Sequence, residues 1–228
     1  MKPPFPQLIE LPAAPRNGSP APELTSIHAA RRRGPYGSSK YRGNCGGYLI
    51  RDLLRYYQPR RVLDPMTGSG TCRDVCRELA IPCVSMDVRF GQDAADSHLY
   101  EAVGKIGFAF LHPPYWRQIV YNDDPRCLSQ APTLDAFLQR MRLVLRNCKS
   151  VLTPDGKIAV LIGGYSDRGV FQPLPHLLVA EAAKVGLRMA ATEIIRLQYG
   201  NTSSGKTYRS SFIPGLHDQC LVFEAGSL

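Results

Sequence analysis

No apolar run in this 228-residue chain approaches the length of a bilayer span, and the opening Met1-Lys2-Pro3-Pro4-Phe5-Pro6 carries no hydrophobic secretory stretch. The expectation is a soluble, cytoplasmic protein with no membrane partner. The seven cysteines are odd in number and scattered, with no C-x-x-C pair, which excludes a disulfide framework. Cys72 and Cys76 lie four apart but lack a second ligand pair at zinc-like spacing, so they read as buried thiols in a reducing compartment, with no metal. The Gly68-Ser69-Gly70-Thr71 turn is not itself continued by a Lys or Arg in a GK[ST] arrangement, which argues against phosphate binding and ATP hydrolysis at that turn. Acid is also scarce. Against 28 Lys and Arg stand 19 Asp and Glu, a formal net charge of +9, as expected for the partner of a polyanion.

The length suits one sizeable α/β core and is too short for two full domains. Residues 1–39 are rich in Pro, Gly, Ser and Ala without periodicity and include Arg31, Arg32 and Arg33. They read as a flexible basic arm whose arginines meet nucleic-acid phosphates, ahead of a folded domain over residues 40–228. Leu49, Ile50, Leu53, Leu54 and Tyr57 then mark one helical face. Arg61-Val62-Leu63 reads as a strand, followed by a glycine turn and a helix from Cys72 to Ala80. That order aims free backbone N–H groups and a helix start at a ligand, and Gly68 and Gly70 allow the tight turn. A second strand, Cys83 to Met86, delivers Asp87 about twenty residues past the turn, where a carboxylate is placed to accept ribose hydroxyls.

Ile106 to Leu111 reads as a buried strand ending in His112-Pro113-Pro114-Tyr115-Trp116. Residues 117–132 look irregular, Thr133 is a helix N-cap, and Leu134 to about Leu152 forms an amphipathic helix. Thr153 to Gly156 reads as a turn, 157–162 as a strand, 163–169 as a loop and 174–185 as a helix. A strand near 187–198 and a last one over 219–224 flank a polar, basic insert, Tyr199 to Arg209, whose Lys206 and Arg209 suit nucleic-acid contacts.

Asp64-Pro65-Met66-Thr67-Gly68-Ser69-Gly70-Thr71 and His112-Pro113-Pro114-Tyr115 together resemble the cofactor and catalytic loops of a known family. Its members are S-adenosylmethionine-dependent methyltransferases that modify exocyclic amines of DNA bases, adenine N6 or cytosine N4. The resemblance covers roughly residues 40–225. It implies a Rossmann-like methyltransferase fold: a mostly parallel seven-stranded sheet with a reversed last strand and helices on both faces. It implies cofactor contacts at Asp64, Pro65, Met66, Gly68, Ser69, Gly70, Thr71 and Asp87, with Asn44 in the supporting segment ahead of the first strand. It implies catalysis at His112, Pro113, Pro114 and Tyr115: the first side chain and the first proline's carbonyl accept the two N–H bonds of the target amine, and Tyr115 stacks on a flipped base. Trp116 then joins the nucleic-acid contacts. His112 departs from the Asp, Asn or Ser usual there, but a neutral imidazole still offers one acceptor nitrogen. Unperturbed, it predicts activity falling as pH drops through about 6.5.

The expected activity is therefore methyl transfer to DNA, adenine N6 ahead of cytosine N4. An RNA base methyltransferase of the same fold and a non-catalytic nucleic-acid-binding subunit stay open. No separate recognition domain of substantial size is left over, so a homodimer or a recognition partner is expected.

Overall fold

The Val-, Ile-, Leu- and Phe-rich runs pair into one sheet in the computed structural model, which describes residues 13, 17–30, 32–197, 213 and 215–226. Its strands are β1 (Ile27–His28), β2 (Val62–Asp64), β3 (Cys83–Ser85), β4 (Ile106–Leu111), β5 (Leu152–Ile162), β8 (Leu187–Met189), β9 (Ile194–Leu197) and β10 (His217–Ala225). A separate small hairpin joins β6 (Tyr165–Asp167) to β7 (Val170–Gln172). Across the sheet the order is β1-β9-β10-β5-β4-β2-β3, with β8 also on β10. β2 pairs in parallel with β3 and β4, and β4 with β5, whereas β10 runs antiparallel to β5, β8 and β9. This is the expected Rossmann-like, mostly parallel sheet with a reversed last strand.

Two details differ. The sheet holds eight strands rather than the seven that the resemblance implies: to the six runs read as strands, the split of 187–198 into β8 and β9 adds one and β1 of the N-terminal segment another. Residues 153–156, read as a turn from Pro154-Asp155-Gly156, are drawn into β5, and the β4–β5 register shifts beside them.

Helices cover both faces. α1 (Tyr48–Tyr57) and α2 (Thr71–Glu78) lie on one side, α3 (Leu134–Val151) and α4 (Leu174–Lys184) on the other. β4 shows the two-residue alternation behind this. Phe108 and Phe110 pack with Leu49, Ile50 and Leu53 of α1, while Ala109 and Leu111 pack with Phe137, Met141 and Leu145 of α3. Phe108 and Phe110 are essentially fully buried, and such rings contribute about 1.5–3 kcal/mol each. Thr133 caps α3 as expected, accepting the Ala136 N–H at 3.1 Å.

The N-terminal segment is not simply a loose arm. β1 adds in parallel to β9, and His28 is buried with its Nε2 3.2 Å from Asp52 of α1. Tyr36 is buried too, and its hydroxyl donates to Glu78 at 2.6 Å. Packed structure therefore crosses the boundary expected at residue 39. Isolated apolar and aromatic residues in a Pro/Gly-rich stretch carry no periodicity, so nothing local marked them as core.

Candidate cofactor and substrate cleft

At the C-terminal ends of β2, β3 and β4 the chain turns away from the sheet and leaves a cleft, the usual ligand position in such folds. Its space is about 920 Å³ including the open mouth. The loop after β2 is tied to β3 by Thr67 N–H to the Met86 carbonyl (2.9 Å) and closes with Gly70 N–H on the Thr67 carbonyl (2.7 Å). Gly68 (φ +50°) and Gly70 (φ +87°) both take the left-handed conformation that favours glycine, and Gly70 starts α2. Asn44, Asp64, Pro65, Met66, Gly68, Ser69, Thr71 and Asp87 all line the cleft, and so do His112 and Pro114 from the end of β4. The two sequence motifs therefore meet in one space. Gly70 shapes the turn without standing in the wall, and Pro113 is buried.

Burial pushes the Asp64 carboxyl up to about 8, so near neutral pH it holds its proton. Asn44 accepts the Thr71 hydroxyl at 2.5 Å and donates to the Ser38 carbonyl at 2.8 Å, which fixes the segment before α1 against the start of α2. Asp87 stands where expected, but its oxygens have partners already: Gly68 N–H at 2.8 Å and the Arg89 backbone N–H and Nε at 3.0 Å. The Arg89 guanidinium also donates to the Gly68 carbonyl and sits 5.2 Å from the Tyr41 ring centre. Tyr41 in turn stacks on Tyr121 at 5.8 Å. Sequence reasoning missed all three. Arg89, two residues after the strand-end acid, is the one with a local signal.

His112 is partly exposed on the cleft wall, and desolvation by the protein around it, reinforced by the nearby Arg196 guanidinium and opposed by Asp218, lowers its pKa to about 4. Among the described residues its ring nitrogens make no hydrogen bond. Tyr115 lies beside it, ring centres 5.9 Å apart, just outside the cleft wall. The Tyr115 hydroxyl donates to Asp218 at 3.0 Å. Asp218 of β10 is fully buried and takes both Nε (2.8 Å) and Nη2 of Arg196 of β9, its register partner. Burial alone would raise the Asp218 pKa; the Arg196 guanidinium outweighs it and holds the carboxylate ionised.

Gly163 packs on the same ring. A Cβ there would fall 2.9 Å from Tyr115 Cε2 and 3.3 Å from Asp218 Cβ. Because the Tyr115 ring is tethered through its hydroxyl, Gly163→Ala should cost about 1–3 kcal/mol, the scale of overpacking. In a Tyr115→Leu background the cost should shrink, which urea unfolding of the four proteins measures. Equal costs in both backgrounds would show that the ring gives way freely.

Other expected contacts are placed differently. Trp116 is not at a nucleic-acid surface: it is 5 % exposed and its indole N–H donates to the Ala131 carbonyl at 2.8 Å. Arg33 is folded back, donating to the Tyr36 carbonyl at 2.5 Å, while Arg32 is exposed. Arg31, Lys206 and Arg209 lie outside the described residues. Where α2 packs on the sheet, Cys83 of β3 joins Cys72 and Cys76, and the three Sγ atoms lie within 4.8 Å of one another.

No family model and no curated protein matches the chain. Solved structures resemble it at low identity. A putative DNA modification methylase from Thermus thermophilus, complexed with S-adenosyl-L-methionine, is 18% identical over 59% of this chain and 54% of its own, with a TM-score of 0.42. TrmN from Thermus thermophilus is 17% identical, covering 81% and 50%, at 0.44. The glycopeptide N-methyltransferase MtfA, complexed with sinefungin, is 10% identical, covering 88% and 92%, at 0.49. This chain thus spans about half the length of the first two.

Proposed function

We propose that the cleft binds S-adenosylmethionine beside the glycine turn and that the chain transfers its methyl group to an exocyclic base amine, adenine N6 of DNA. The observation that carries this reading is His112: an imidazole kept neutral, with no competing hydrogen bond among the described residues, facing the same cleft as the Gly68–Gly70 turn. The cleft is open to solvent at its mouth and lined by both motifs, the concave arrangement that small-molecule sites share. Gly68 and Gly70 let a ligand approach the backbone closely, and Asp87 would take ribose hydroxyls if Arg89 shares it or swings aside.

When bound, the cofactor supplies an electrophilic sulfonium methyl. The remaining work falls to this chain. A base amine is a poor nucleophile because its lone pair is delocalised into the ring. His112 would accept one N–H and the Pro113 carbonyl the other, turning the lone pair toward the methyl group. Proline fixes φ and holds the preceding residue extended, so these acceptors are set before the base arrives. Tyr115, tethered by Asp218 and backed by Gly163, would stack on the flipped base, worth about 1–3 kcal/mol. Positioning of this kind supplies most of the rate. The net charge of +9 and exposed Arg32 favour a polyanionic substrate. Lys206 and Arg209 are proposed phosphate contacts, and target choice falls to a partner protein or a second copy.

The test is transfer of labelled methyl from S-adenosylmethionine to DNA and, separately, RNA, followed by nucleoside mass spectrometry. N6-methyladenine in DNA is the expected product. Product only in RNA moves the substrate, and cofactor binding without product on either polymer indicates a missing partner or target. Absence of both binding and product sinks the enzyme reading and leaves a non-catalytic subunit.

A further inference from the structure

Cys72 and Cys76 stand one turn apart on α2 and face the sheet, where Cys83 of the edge strand β3 meets them. All three Sγ atoms lie within 4.8 Å of one another. Three sulfurs bound to one ion at about 2.3 Å each are separated by roughly 3.8–4.0 Å, in tetrahedral or trigonal geometry. The thiols are therefore gathered close to coordination distance. Ordinary core packing of small apolar side chains does not require three sulfurs to converge on one point, and among the described residues no such cluster forms around the other four cysteines.

The geometry points to a site for one thiophilic d¹⁰ cation, Zn(II) or Cu(I), held by the thiolates of Cys72, Cys76 and Cys83. Soft sulfur donors select such ions over Mg(II) or Ca(II). Cys72 and Cys76 are buried, whereas Cys83 is only partly so and lies on a strand that has no neighbour beyond it among the described residues, which leaves an entry path. Ser85 projects from the same strand two residues on, its hydroxyl 3.6 Å from Cys83 Sγ. That hydroxyl or a water would complete tetrahedral zinc, and Cu(I) needs no fourth ligand. Binding releases the three thiol protons, so apparent affinity rises with pH.

The site would also matter at a distance. Cys72 follows Thr71, the first residue of α2, and itself lines the cleft. An ion joining α2 to β3 would clamp the two elements that carry the glycine turn and Asp87. It would stabilise the fold whether or not the cleft binds S-adenosylmethionine, so the inference is independent of the methyltransferase reading.

The experiment uses the full chain, reduced and stripped with chelator, titrated with Co(II) as a spectroscopic stand-in for zinc. A sulfur-to-cobalt charge-transfer band saturating at one equivalent is expected, bleached by Zn(II). A parallel titration supplies Cu(I) against a chromophoric chelator. Saturable binding of either ion raises the melting temperature and supports the site; binding of Cu(I) alone specifies the trigonal form. Cys83→Ser, at the exposed edge and so least disruptive, should weaken binding by more than the roughly 10–100-fold typical of an outer hydrogen-bond partner. Cys148→Ala, on the opposite face of the sheet, should leave it unchanged. If neither ion binds at one equivalent, or if folded Cys83→Ser, checked by circular dichroism, binds as tightly as the parent, the proposal is wrong.

Discussion

Replacing Asp218 with alanine should lower stability by about 3–5 kcal/mol, the cost of leaving one member of a buried ion pair without its partner. The side chain of Asp218 is completely inaccessible and that of Arg196 is 17% exposed, and the guanidinium grips both carboxylate oxygens. Alanine would remove the acceptor for Tyr115 as well, and leave a cation facing His112. Tyr115→Phe is the contrast: it deletes one hydrogen bond while Arg196 still compensates the carboxylate, so about 0.5–1.5 kcal/mol is expected. Urea unfolding monitored by circular dichroism distinguishes the two, with unchanged m-values confirming that the native state is comparable. A loss below about 1 kcal/mol for Asp218→Ala, far under the buried-pair scale, would mean that the pair is not closed in solution. The pH dependence has a definite sign. The folded Asp218 pKa is depressed below 3.8, so its contribution is present above that value and is lost as pH falls through the folded one.

That pair was invisible in the sequence for a physical reason. Arg196 and Asp218 become neighbours only through the antiparallel register of β9 and β10, and each alone looks like an ordinary charge on a strand. The loops at Asp64–Thr71 and His112–Tyr115 were legible because glycine and proline act locally, glycine by admitting positive φ and proline by fixing φ, and here each pair follows an apolar run that ends in a strand. Trp116 shows the limit of that local logic. It directly follows Tyr115, but its φ of +49° reverses the chain and carries the indole into the core beside Ala131. The β6–β7 hairpin was hidden by Gly163-Gly164, which reads as loop, although Gly164 leaves room for Phe171 to fold across it. Cys83 was overlooked because ligand-spacing rules follow the chain, and this third sulfur arrives across a helix–strand contact.

His112→Ala should reduce methyl transfer by about 10²-fold or more, the scale of losing one preorganised hydrogen-bonding group aimed at the reacting atoms. Cofactor binding and melting temperature should change little, since among the described residues the ring makes no hydrogen bond. His112→Asn restores a neutral acceptor and should recover much of the rate, which separates an acceptor role from simple space filling. The pH profile is the sharper test. Only the neutral ring accepts, and burial together with Arg196 brings the pKa down from 6.5 to about 4. Transfer should therefore stay level as pH falls from about 8 toward 5 and decline only near 4, not at the 6.5 of an unperturbed histidine. Stability moves by the same linkage. Between 6.5 and about 4 the unfolded chain takes up a proton that the folded ring refuses, so this group costs the fold increasing stability as pH falls through that window. The profile must accordingly be measured where circular dichroism still reports the native state. A midpoint near 6.5 in the folded chain would place His112 in solvent rather than beside Arg196, and an alanine variant transferring at the parental rate would remove it from the proposed reaction altogether.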